Sequence, residues 1–299
     1  MILLILAVIL GLLPVVLISI FIIIRDKERE PVSTLIKYYA LGLLAVILTL
    51  IISGILNIEQ EPSHGALILF MEVLFGIAFI EEGTKWISVK IGMIGDLEFD
   101  NMYDAIVFAV AVSLGFAGIE NVLYLLTNYK IMFGVAIGRA ILSVPGHAIF
   151  GVFMGSYLEK AKKCKISGDA SGNFTNSVIS WVVPSIMHAI FDFLIFNATS
   201  DYPLFNNSLL TFAIFFVYVI GLYIFGIRKV IIASKDSNIN FYGVQNEEKK
   251  AVLQPAPVYN TYTVNQYAPN PYSVRPNFCR YCGTRVTGTY CSGCGAKIQ

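Results

Sequence analysis

The residues best equipped for chemistry sit where charge is least expected. Glu81, Glu82 and Lys85 interrupt a stretch, 66–94, that is otherwise mostly apolar. An unpaired charge at the centre of a bilayer costs about 2.5–3.5 kcal/mol on insertion scales, so such residues turn inward and find partners. Lys85 lies four residues from Glu81 and three from Glu82, on one helix face, and can neutralise one of them. The other needs a second partner or a proton. A carboxylate held in a dry site is suited to general-base work.

Three further polar groups break apolar runs. Glu120 follows Phe116 by four residues and precedes Asn121. His147 follows Pro145 and Gly146. His188 and Asp192 are four apart, so they share a helix face and Asp192 can orient the imidazole. Counted from the ends of their runs, Glu82, His147 and His188 fall at roughly 15–18 Å depth, with Glu120 somewhat deeper. One plane inside a bundle could hold them all. Two histidines and a carboxylate make an open zinc set, here His147, His188 and Glu120. The plainer alternatives are a structural Glu81–Lys85 ion pair, Glu120 as a staple between helices, and histidines satisfied by neighbouring helices. Glu72 and Arg139 lie nearer the outer end and are expected to pair with each other. The spacings Gly134/Gly138 and Gly151/Gly155 are expected to mark close helix packing.

The elements that position these residues follow from composition. Hydrophobic residues make up 56% and charged residues 14% of the 299, with mean hydropathy +0.70. Soluble domains carry about 45–50% apolar and about 25% charged residues. This excludes an ordinary soluble enzyme, a disordered chain and a disulfide scaffold. It predicts an all-α, polytopic helix bundle in a lipid bilayer. A net charge of +1 gives no reason to expect nucleic acid. Ile2 to Ile24 is an uncharged run without a basic leader or a small-residue cleavage site, so it is read as a span. Six more follow near 34–56, 66–94, 104–127, 131–157, 176–197 and 207–233. The first loop carries Arg25, Lys27 and Arg29. The fifth carries Lys160, Lys162, Lys163 and Lys165, and the last span ends on Arg228, Lys229 and Lys235. The alternate loops are nearly free of positive charge. The positive-inside rule then puts the N-terminus outside and the C-terminus in the cytoplasm.

The chain divides by composition into a bundle over 1–233, a linker over 234–277 and a small domain over 278–299. The linker is rich in Asn, Gln, Tyr and Pro and is expected to be flexible. The small domain holds Cys279, Cys282, Cys291 and Cys294 as two CxxC pairs, each followed by glycine. Two such knuckles supply four thiolates to a structural zinc. A domain of this size has almost no core, so the metal must provide most of its stability. Its cytoplasmic partner is not written in the sequence. Cys164 reads as an incidental thiol.

The intramembrane set, taken in order, resembles the PrsW family of intramembrane proteases, distant relatives of the CAAX prenyl endopeptidases and the Abi proteins. The family's EExxK motif corresponds to Glu81, Glu82 and Lys85. Its FxxxE motif corresponds to Phe116 and Glu120, followed by Asn121. His147 and the His188–Asp192 pair complete the order, and Asp104 also fits a family position. The resemblance covers roughly residues 30–200. It implies an endopeptidase that cuts membrane-anchored substrates, some members acting on anti-sigma factors, by a metal-dependent or a glutamate-dependent route. On that reading Glu82, or else Glu81, activates a water. His147 and His188 stabilise the oxyanion or hold a catalytic zinc with Glu120. Lys85, Asn121 and Asp192 support them. The other readings are a prenyl-protein endopeptidase and a non-catalytic scaffold subunit.

Overall fold

The structure, a computed structural model, describes residues 2–56, 65–200, 203–241 and 243. The expected zinc ribbon, with Cys279, Cys282, Cys291 and Cys294, lies outside the described residues, as does most of the expected linker. The described chain is helical: α1 (Ile2–Ile23), α2 (Val32–Ile55), α3 (Ala66–Glu72), α4 (Phe79–Met93), α5 (Asp104–Thr127), α6 (Met132–Gly138), α7 (Val144–Ile166), α8 (Ala170–Thr199) and α9 (Ser208–Ala233). Six stretches are long and apolar enough to cross a membrane. The remaining expected span, from Ala66 to Met93, is helical throughout. It carries Glu72, Glu81, Glu82, Lys85 and Lys90, spread so that none of its eighteen-residue windows holds as few as two charges, as each of the other six does. α7 runs to Ile166, so the four lysines expected in a loop occupy its last turns.

α5 is the centre of the bundle. Its apolar window is 72% buried, against 17% for α1. It packs on α1, α2, α4 and α7, and α7 packs in turn on α8. Small residues allow this approach. A side chain at Gly155 would fall on the backbone of Ala105, and one at Gly151 would meet Ser113 Oγ at 2.7 Å. Gly134 and Gly138, with the same spacing, have open space around them, so that pair does not mark a helix contact. Outward faces of α1, α2 and α9 expose large apolar side chains such as Leu17, Ile47 and Phe225, as lipid contact requires.

Two π-helical segments shape the interior. Val73–Ala78 joins α3 to α4, and Arg139–Ser143 joins α6 to α7. Such wide turns often accompany functional sites. The first ends just before Glu81 and Glu82, and the second just before His147. Pro145 explains part of the second. It has no N–H to give the carbonyl four residues earlier, that of Ile141. Tyr223 Oη donates to Ile141 O at 2.6 Å and to Leu142 O at 3.1 Å, replacing the lost bond from α9.

Past α9, Ser234–Asp236 forms a 3-10 turn and Asn240 bridges to Asn101. Phe241 is buried against Phe99. These residues, assigned by composition to the linker, pack on the bundle.

Candidate active site

Four helices bring the predicted residues together. α4 supplies Glu81, Glu82 and Lys85, and α5 supplies Glu120. α7 supplies His147, and α8 supplies His188 and Asp192. Lys85 is fully buried and is the hub. Its Nζ lies 2.7 Å from Glu82 Oε1, 3.7 Å from Glu81 Oε2 and 2.9 Å from His147 Nδ1. It also sits 4.0 Å from the centre of the Phe116 ring, which gives the FxxxE phenylalanine a cation–π role. An ammonium can only donate, so His147 Nδ1 accepts from Lys85. The other nitrogen, Nε2, then carries the proton and faces Glu120 Oε2 at 3.0 Å.

His188 is held at both ring nitrogens. Nδ1 lies 3.0 Å from Glu82 Oε1, and Nε2 lies 3.2 Å from Asp192 Oδ2. The expected orienting role of Asp192 therefore has its geometry. Phe150 stacks on the His188 ring at 5.0 Å, and the two imidazoles meet edge to face at 5.1 Å. A chain of contacts thus runs from Asp192 through His188, Glu82, Lys85 and His147 to Glu120.

The two adjacent glutamates have different surroundings. Glu82 is fully buried and takes both Lys85 and His188 on one oxygen. Glu81 lines a cavity of about 340 Å³ together with Glu120, Arg139, His147, His188 and Asp192. It also lines a second cavity of about 320 Å³ on the side of α2. Ile77, Glu81, Glu120 and Tyr124 belong to both cavities, so they stand between them.

Arg139 is the residue that sequence reasoning misplaced. It does not pair with Glu72, which is exposed. Arg139 Nη2 lies 2.7 Å from Glu120 Oε2, and its Nε donates to Asn121 Oδ1 at 3.1 Å. Asn121 in turn donates to Gly11 O on α1 at 2.7 Å. Asn121 therefore holds Arg139 and does not itself line the cavity. Depth along a helix is one coordinate, and the π segment turns Arg139 towards α5. An intramembrane arginine needs a carboxylate, but the sequence offered two.

The residues suit a metal ion. Glu81, His147 and His188 each offer a donor atom, all within 4.8 Å of one another, and Glu81 Oε2 is buried with no hydrogen-bond donor on it. One carboxylate and two imidazoles form a recognised open donor set, and an ion would take one nitrogen of each ring from the partner that now holds it. Glu120 lies on the far side of His147, tied to Arg139.

A cavity lined by carboxylates and histidines within a lipid-facing bundle fits an integral membrane hydrolase. The family model described as PrsW family intramembrane metalloprotease matches residues 30–222. The chain belongs to the PrsW family and is an intramembrane protease. Protease PrsW of Bacillus subtilis is 33% identical over 232 residues, 77% of this chain and 94% of that protein. Protease PrsW of Oceanobacillus iheyensis is 35% identical over 187 residues, 62% of this chain and 80% of that protein. The Geobacillus kaustophilus protein of the same name is 36% identical over 183 residues, covering 60% and 75%. No solved structure matches the chain.

Proposed function

We propose that the chain hydrolyses peptide bonds of membrane-anchored protein substrates at the cavity that Glu81 lines. The observation that carries this is the meeting of Glu81, Glu120, His147, His188 and Asp192 on one cavity wall. Glu81 takes the proton of the attacking water, because it reaches the cavity while Glu82 is enclosed. His147 and His188 face the place where the oxyanion develops. Glu82 and Asp192 fix the His188 ring. Lys85 fixes His147 and balances the two glutamates. Arg139 fixes Glu120. Glu81, His147 and His188 would hold a zinc ion, which when bound supplies Lewis-acid polarisation and a more acidic water.

Regulators of the anti-sigma-factor type are the substrate class that the family resemblance suggests. The loop charges favour an outer N-terminus and a cytoplasmic C-terminus. The ribbon at Cys279, Cys282, Cys291 and Cys294 then carries its own structural zinc and meets a cytoplasmic partner.

The test follows zinc per chain and cleavage of a membrane-anchored reporter in full-length protein bearing Cys279→Ser and Cys282→Ser. The two substitutions remove the ribbon's metal. Remaining zinc and activity, both lost on His147→Ala or His188→Ala, support the metal-holding role. Activity without zinc leaves Glu81 acting alone on the water. Absence of cleavage by a folded wild-type chain against every anchored reporter would overturn the proposal.

A further inference from the structure

A second group of acids lies at the other end of α5. Asp26 and Glu30 come from the loop between α1 and α2, and Asp104 is the first residue of α5. All three are buried, at 4%, 9% and 0% exposure. Each offers a carboxylate oxygen, and the three oxygens lie within 4.8 Å of one another. Asp104 is sixteen residues before Glu120, about 24 Å along the helix, so this group is separate from the cavity.

Hydrogen-bond accounting points to something held between them. Asp104 Oδ2 accepts from the backbone N–H groups of Asp100 at 3.0 Å and Asn101 at 2.5 Å. Asp26 Oδ1 accepts from Glu28 N–H at 3.2 Å. Each aspartate is thus clamped by one oxygen. Glu30 and Asp104 share one side-chain hydrogen bond, which needs a proton between them; Asp104 Oδ1, Asp26 Oδ2 and Glu30 Oε2 are buried with no hydrogen-bond partner among the described residues. No ion pair reaches any of the three acids among the described residues. Lys162, which feels the charge of Asp104 through space, donates to Phe99 O and sits over the Phe99 and Phe241 rings at 3.6 and 4.3 Å. Arg29 acts on Asp26 through space without forming an ion pair. Buried carboxylates this close repel one another, and unmade bonds to buried oxygens are costly.

We infer that Asp26, Glu30 and Asp104 form a site for a hard divalent cation, calcium or magnesium. Three carboxylates with free oxygens and no nitrogen or sulfur donor suit such ions. The site ties the α1–α2 loop to the start of α5. The segment after α9 closes beside it: Lys27 N–H donates to Ser237 Oγ at 2.9 Å, and Phe241 N–H donates to Asp100 O at 3.1 Å. A bound ion would fasten three stretches of chain that already meet through such bonds and through the Phe99–Phe241 ring contact.

The test uses full-length protein in detergent, freed of calcium and magnesium in a buffer of constant zinc. Calcium alone or magnesium alone is then added. Thermal midpoints are followed for wild type, Glu30→Gln and Glu81→Gln. Without ion, Glu30→Gln should melt at or above wild type, because wild type must take up a proton to bury Glu30 and Gln need not. At an ion concentration about a hundredfold over Kd, wild type and Glu81→Gln should rise by roughly 5 °C, while Glu30→Gln stays still and the order reverses. Equilibrium dialysis should show one ion fewer per chain in Glu30→Gln, and Asp26→Asn repeats the comparison should Glu30→Gln not fold. The arm giving the larger rise names the ion. Equal rises in wild type and Glu30→Gln would place the ion elsewhere and overturn the assignment. No rise in any chain would overturn it too, since protons would then hold the cluster.

Discussion

The two acidic clusters use the same residue types and solve opposite problems. In the cavity every acid has a partner. Glu81 and Glu82 share Lys85, Glu120 has Arg139 and His147, and Asp192 has His188. At the base of α5, the two aspartates have backbone clamps, and all three acids have free oxygens but no ion pair among the described residues. The cavity brings its own counter-charges and is assembled by the chain alone. The other cluster lacks them, and what completes it comes from outside. Burial by itself therefore does not tell the two clusters apart; the company of lysine, arginine and histidine does.

The sharpest way to break this contrast is to remove the cavity's hub. Lys85→Met should leave Glu82 buried without its lysine, with only His188 against it. The loss of stability should be about 3–5 kcal/mol, the range for breaking a buried pair, and cleavage should disappear with it. Denaturant midpoints and reporter cleavage read both effects. An unchanged midpoint would mean that the glutamates find other partners.

Next in size is His147→Ala. It should lower the cleavage rate by about 10²–10⁴, the span of positioned acid–base groups, with a thermal midpoint near wild type. Rates within a few fold of wild type would remove His147 from the site.

Arg139→Lys keeps the charge beside Glu120 and gives up the fork that also reaches Asn121. A loss in kcat of about tenfold is expected, with KM and melting nearly unchanged. A change in KM alone would mean that Arg139 meets substrate and does not position Glu120.

The smallest effect belongs to an ion pair outside both clusters. Lys37 Nζ lies 2.8 Å from Asp96 Oδ2, with its side chain 43% exposed. Lys37→Ala should cost no more than about 1 kcal/mol, because water screens such pairs. A cost matching that of Lys85→Met would show that burial is not what separates the two lysines.

Much of this was legible from residue order. The all-α bundle followed from apolar runs, and most helix bounds fell within a few residues of the expected ones. Glu81, Glu82, Lys85, Glu120, His147, His188 and Asp192 stood out because charge and imidazole are rare in such runs, and the structure brings all seven together. The unread parts have physical causes. Periodicity does not reveal π turns, so the aim of Arg139 was lost. Gly134/Gly138 and Gly151/Gly155 have the same spacing, but only the second pair meets α5. Neighbouring glutamates point in different directions on a helix, and only the packing of α7 and α8 decides which one reaches the cavity. Asp26 and Glu30 do not stand out in the sequence, because nothing local links them to Asp104.

The central claim is tested most directly by cleavage of one membrane-anchored reporter by wild type, Glu81→Gln and Glu30→Gln, each folded and at equal concentration. The account predicts that Glu81→Gln loses cleavage by at least about a hundredfold, while Glu30→Gln, in magnesium or calcium, cleaves at nearly the wild-type rate. Wild-type cleavage by Glu81→Gln would contradict it.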